Sequence, residues 1–177
     1  MIVNDDQLAT DETAKLIVEA VENGATLKDL YGISDEMMDK LYALAYDFYS
    51  NGRLDDAEKF FRFLCIYDFN NSQYLMGLAA VAQLKKNYQK AIDLYVLAFA
   101  LAKNDYGPVF YTGQCHMYLQ RTAKARLCFE LVCLHSHEET LRAKASAYLE
   151  ALQDVQATEA SEESDVELSP DGDLLKK

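Results

Sequence analysis

The side chains with the plainest chemical capacity crowd one short stretch, Cys128, Cys133, His135 and His137. Thiolate and imidazole are zinc ligands, so a metal site is the first reading to weigh. As a set, however, their spacing matches no compact metal site, and Cys128 falls inside a helical pattern where its side chain packs. His116 completes the histidines, and no carboxylate pair or nucleophile–base pattern accompanies it. A Gly-rich phosphate loop is also missing. The residues therefore predict a protein without catalytic site, metal or cofactor, whose chemistry is contact.

For contact the richest set is Tyr42, Tyr46 and Tyr49, then Met76, Ala80 and Gln83, then Phe110, Gln114 and Met117. Two readings compete for it. An aromatic and methionine stripe at helical spacing fits ordinary core, yet it also fits an adaptable groove for an apolar peptide. The groove reading gains from the core positions being filled by other residues. Tyr42 and Tyr46 stand where repeat proteins that grip a chain-terminal carboxylate use basic and amide side chains, so the groove is not of that kind.

The elements that must position this set repeat every 34 residues. Ala57, Ala91 and Ala125 recur at that spacing, each followed four residues later by a ring: Phe61, Tyr95 and Phe129. Twelve residues before each alanine is another small residue: Ala45, Ala79 and Gly113. Leu44, Leu78 and Thr112 precede those, and Leu41, Leu75 and Val109 stand three residues earlier still, while Leu64, Ala98 and Val132 follow the aligned alanines. Small residues let paired helices approach closely, and the rings fill the space between one pair and the next. This spacing predicts helices at 35–51, 54–67, 72–85, 88–102, 106–119 and 122–135, with turns at Asn51-Gly52-Arg53, Lys86-Asn87 and Gln120-Arg121. Ser34 is the expected N-cap of the first, ahead of Asp35 and Glu36. The fold class is thus all-α: three tetratricopeptide repeats in a short right-handed solenoid, with the inner curve lined by the first helix of each pair.

A repeat array needs covered ends. Glu138–Leu152 is the expected C-terminal capping helix, through Leu141, Ala145, Tyr148, Leu149 and Leu152. Thr13–Glu22 is an amphipathic helix bearing Leu16, Ile17, Ala20 and Val21, joined to the repeats by a Gly24-containing linker. The predicted domains are 1–34 as N-terminal helix and linker, 35–152 as repeats plus cap, and 153–177 as a disordered acidic tail. Net charge is −12, and residues 153–177, with eight acidic residues and two lysines, carry −6 of it. Such a surface repels nucleic acid and favours basic protein partners. No apolar run approaches the roughly 20 residues of a membrane span, and no secretory leader is visible. A soluble cytoplasmic protein with reduced thiols is expected.

Three stretches carry a resemblance. Gly24-Ala25-Thr26-Leu27-Lys28-Asp29-Leu30, Leu41-Tyr42-Ala43-Leu44-Ala45-Tyr46 and Arg62-Phe63-Leu64-Cys65-Ile66-Tyr67-Asp68 resemble the class II chaperones of bacterial type III secretion. Leu84-Lys85-Lys86, Lys103-Asn104-Asp105-Tyr106 and Pro108-Val109-Phe110 are similar to the invasion-type members in particular. The likeness covers residues 10–152. It implies a cytoplasmic chaperone that holds two hydrophobic translocator proteins soluble and apart before export, gripping an extended segment in the concave groove. It also implies an AraC-type transcription activator as a further partner and a weak homodimer. The chain departs from the family where Phe69 and Lys103 replace a late proline of the repeat, and where His116 takes a usually aromatic position. Two other classes remain open on the residues alone, a transcriptional co-regulator acting by protein contact and a generic repeat scaffold.

Overall fold

The computed structural model describes residues 15–20, 22–102 and 104–166, from 154 onward as backbone alone. Eight helices are delimited among them: α1 (Leu27–Leu30), α2 (Asp35–Ser50), α3 (Leu54–Tyr67), α4 (Ser72–Leu84), α5 (Tyr88–Leu101), α6 (Gly107–Tyr118), α7 (Thr122–His135) and α8 (Glu139–Val166). From α2 to α8 each helix packs on the next, and α2 also touches α4 as α6 touches α8. That is a solenoid of three helical hairpins with a further helix laid on its end.

The hairpins share one turn. Gly52, Lys86 and Gln120, each 34 residues apart, all adopt left-handed backbone at φ 73°, 61° and 56°. In each, the next N–H reaches back five residues: Arg53 to Phe48 O, Asn87 to Ala82 O and Arg121 to His116 O, all at 2.9 Å. This ending satisfies carbonyls the helix leaves open. The small columns do their predicted work, since Ala45, Ala57, Ala79, Ala91 and Ala125 have no exposed surface. Phe61, Tyr95 and Phe129 are the large rings locked between hairpins. Across the first junction Glu58 of α3 accepts from Lys85 and Lys90, both at 2.7 Å, and these bonds hold its carboxyl down at about 2.

The entry segment is fastened by ions and rings. Asp29 accepts from the backbone and the hydroxyl of Thr26, each at 2.8 Å, closing α1 at its start. Lys28 reaches Asp35 at 2.8 Å and Asp68 at 3.5 Å, and Tyr31 packs on Tyr67. Ser34 caps α2 as expected, accepting from the Met37 N–H. Residues 15–20 and 22 of the expected first helix are helical, while 13, 14 and Val21 lie outside the described residues. Leu16, Ile17 and Val18 are exposed, so this stretch does not cover the first repeat.

At the other end the structure departs from expectation. Helix α8 does not stop at Leu152 with a disordered tail from 153; its backbone stays helical to Val166. Gln, Glu and Ala dominate 153–163, and these are good helix formers with no Gly or Pro among them. The composition that reads as too polar to fold is still able to extend a helix already anchored by packing. Residues 167–177 and Lys103 lie outside the described residues.

Helix α8 is also more than a lid. Continuing the period, Ala145 follows Ala43, Gly77 and Tyr111, and Tyr148 follows Tyr46, Ala80 and Gln114. Both meet Phe129 and Phe110 within one buried cluster. Ala147, next in the column of Ala45, Ala79 and Gly113, is exposed because no second helix covers it. Helix α8 is the first helix of a fourth repeat whose partner is absent among the described residues.

His116 shows what its position costs. It is 8% exposed and its Nδ1 lacks a hydrogen-bond partner among the described residues. Burial first, then Arg121 and Lys124, lower its pKa. The fold therefore favours the neutral ring, and its contribution is whole above the unfolded value near 6.5. As pH falls below that value the unfolded chain takes a proton that the fold resists, and stability is lost. Thermal melting between pH 7 and pH 5 should show this loss, and His116→Phe should remove the part due to this ring. An unchanged slope in the variant would assign it to other groups.

Candidate functional site

The inner face gathers side chains from five helices into one cleft of about 320 Å³. Tyr42, Tyr46 and Tyr49 of α2 form one wall, and Gln73, Met76, Gly77, Ala80, Gln83 and Leu84 of α4 form the floor and far wall. Phe61, Tyr95 and Tyr111 close it from behind and from the third hairpin. Six of the nine residues singled out in the sequence are thus brought together: Tyr42, Tyr46, Tyr49, Met76, Ala80 and Gln83.

The remaining three do not join them. Phe110 is buried against Phe129 and Tyr148 and belongs to the core. Met117 packs against the same cluster. Gln114 does not line the cleft; it bonds to Gln83 on one side and to Tyr148 on the other. The cause is α8, whose Tyr148 packs on Phe110 and bonds to Gln114. Six further residues line it: Phe61 and Tyr95, which the repeat pattern assigns to the core, and Gln73, Gly77, Leu84 and Tyr111, which it does not single out. For Tyr111 the signal was available, as it interrupts an otherwise small column of Ala43, Gly77 and Ala145.

Gly77 explains the cleft's depth. A methyl group there would collide with Phe61 Cε1, so the missing side chain lets that ring rise to the floor. Tyr42 then meets Phe61 edge-on at 5.9 Å and lies 5.7 Å from Tyr74. Tyr42 is accordingly shared between groove and core. Tyr46 is 56% exposed and Tyr49 half-buried, with their rings 6.0 Å apart. Tyr111 stacks on Tyr95 at 5.5 Å.

Electrostatically the site is blank. Helices α4 and α6 contain no Asp, Glu, Lys or Arg, in a chain of net charge −12. Burial raises the pKa of Tyr42 and of Tyr49, so their hydroxyls stay neutral donors. Nor is there reactive sulfur. Burial pushes Cys65 up to about 11 and Cys115 up to about 12, and it raises Cys128 and Cys133 as well. No group of three or more His, Cys, Asp or Glu among the described residues is placed to hold a metal ion. No helix among them is long and apolar enough to cross a membrane.

Hairpins of this length, closed by a common turn around an uncharged inner cleft, define a tetratricopeptide-repeat protein. The tetratricopeptide repeat family matches residues 38–71 and 72–105, two units of the period. Over 156 residues, 88% of this chain and 94% of the relative, the sequence is 59% identical to chaperone protein SicA of Salmonella typhimurium. The chain belongs to the SicA family of type III secretion chaperones. Solved structures agree. The translocator chaperone SycD of Yersinia enterocolitica is 28% identical with a TM-score of 0.69, covering 72% of this chain and 98% of its own. PcrH of Pseudomonas aeruginosa, in complex with the chaperone-binding region of PopD, is 31% identical with a TM-score of 0.65, covering 71% and 97%.

Proposed function

We infer that this chain holds hydrophobic translocator proteins of a type III secretion system in the cytoplasm before export, by gripping an apolar segment of each in the inner cleft. The observation that carries this is the cleft itself, a tyrosine-walled and uncharged space inside a strongly acidic molecule. A charged ligand would leave its ion unpaired there, whereas an apolar segment brings no side-chain charge to strand. Pore-forming proteins carry such segments and aggregate when these stay bare. SycD with a YopD peptide, and PcrH with regions of PopD and of PopB, are solved complexes of relatives and support the reading. The chain acts by binding and not by catalysis, and release needs no nucleotide.

Coexpression tests it. Each hydrophobic translocator encoded with this chain's secretion system should stay soluble and copurify with the chain, and should pellet when expressed alone. Translocators equally soluble without the chain would overturn the reading. The bare Leu16, Ile17 and Val18 favour a second copy of this chain as an additional partner, and sedimentation of the free chain reports it.

A further inference from the structure

The cleft has no charge, but it has direction. A single file of hydrogen bonds leads out of it through α6 into the last helix. Tyr95 OH and Gln83 Oε1 lie 2.8 Å apart, Gln83 Nε2 and Gln114 Oε1 3.3 Å, and Gln114 Nε2 and Tyr148 OH 2.9 Å. Amide oxygen and nitrogen have nearly the same shape, so such a file has two possible senses. Burial at its first member decides between them. Tyr95 is 1% exposed, and Gln83 is its hydroxyl's hydrogen-bond partner. Run in reverse, the file would have Gln83 donate to Tyr95 and strand a buried hydroxyl proton, which is the costlier arrangement.

Once Tyr95 donates, every later member is fixed. Gln83 turns its oxygen to Tyr95 and its nitrogen to Gln114. Gln114 must then offer its oxygen backward and its nitrogen forward, to Tyr148. Each amide nitrogen carries two protons and commits one. Three donors are left over among the described residues: one N–H on Gln83, one N–H on Gln114 and the O–H of Tyr148. Gln83 lines the cleft, and Gln114 and Tyr148, both half-buried, stand one and two repeat periods beyond Ala80 of that lining.

We propose that Gln83, Gln114 and Tyr148 form a one-way donor rail that hydrogen-bonds backbone carbonyls of the bound segment and so fixes its register, an inference that rests on the cleft being the ligand groove. Neutral donors call for neutral acceptors, and the acceptors an apolar segment always has are its own carbonyls. A helical ligand spends those internally, each accepting from the N–H four residues on. An extended one turns alternate residues outward along each edge and leaves carbonyls open to a row of donors. The tyrosine walls select apolar side chains, while the rail sets where along the segment they fall.

The test uses the full chain and overlapping peptides tiling the PopD chaperone-binding region and the YopD peptide bound by the relatives. The peptide held most tightly is remade with each amide replaced in turn by an ester, which weakens one carbonyl as an acceptor. In the wild type, esters at one or two positions should weaken binding roughly 3- to 10-fold. In Gln114→Leu and in Tyr148→Phe the same esters should lose their effect, as in a double-mutant cycle. Tyr148→Phe keeps the ring that stacks on Phe129 at 4.9 Å, so its melting should match wild type. Peptides held equally well with and without esters would overturn the rail and leave the groove reading intact. If the wild type holds no peptide, both fall.

Discussion

Ala79→Glu should abolish the cooperative melt of the middle hairpin. Ala79 has no exposed surface and lies in the cluster formed by Ala82, Ala91, Ile92, Tyr95 and Cys115. A glutamate there adds volume where the helices approach most closely, and it brings a carboxylate with no cation on α4 to meet it. Overpacking and an unpaired buried charge together should lower stability by about 3–5 kcal/mol. Against typical domain stabilities of roughly 5–15 kcal/mol, that is enough to unfold much of the population. Circular dichroism and urea titration provide the measurement. Ala79→Gln separates size from charge, since it keeps the added volume without the ion and should cost about 1–3 kcal/mol. A wild-type melt for the glutamate variant would mean that the helix register is wrong.

The second large effect is on binding. Tyr46→Ala combined with Tyr111→Ala should lower affinity for a translocator segment on the order of 100-fold, with about 1–2 kcal/mol from each ring. These are the more open rings of the cleft, at 56% and 38% exposure, so their removal leaves little cavity behind. The free protein should therefore melt near the wild-type temperature. Tyr42→Ala is the contrasting variant. Its ring packs against Phe61 and Tyr74, and its loss should lower binding and melting together. Unchanged affinity in the double variant, measured by calorimetry, would remove these tyrosines from the binding surface.

The contrast between Tyr42 and Tyr46 also shows how far the sequence could be read. Helix limits were legible to within about a residue because three copies of one pattern averaged out local ambiguity. The pair Ala57 and Phe61, seen again at Ala91 and Tyr95, fixed which faces meet. The pattern could not show how a column is shared. Tyr42, at helical spacing from Tyr46, is half core because Gly77 lets Phe61 rise beneath it. Phe110 is wholly core because the fourth-repeat character of α8 brings Tyr148 over it, although Tyr148 keeps the same period. Composition alone, with its Ser, Glu and Asp, places the end of α8 too early. Their setting after an anchored helix, free of Gly and Pro up to Val166, mattered more.

The repeat array is open-ended in its geometry and closed only by its paint. On α8 the inward residues Ala145 and Tyr148 follow the rule of the helices before it. On the side a partner helix would occupy, Ala143 and Ala147 are small and exposed, with Arg142, Lys144, Ser146 and Glu150 around them. Lengthening the molecule therefore needs no change to its interior. Recolouring that outer face with leucine at 143 and appending one helix patterned on Thr122–His135 should dock a complete fourth hairpin. Length in this scaffold is set at the surface, so a longer groove, and with it a longer cargo segment, is a few outward-facing substitutions and one grafted helix away.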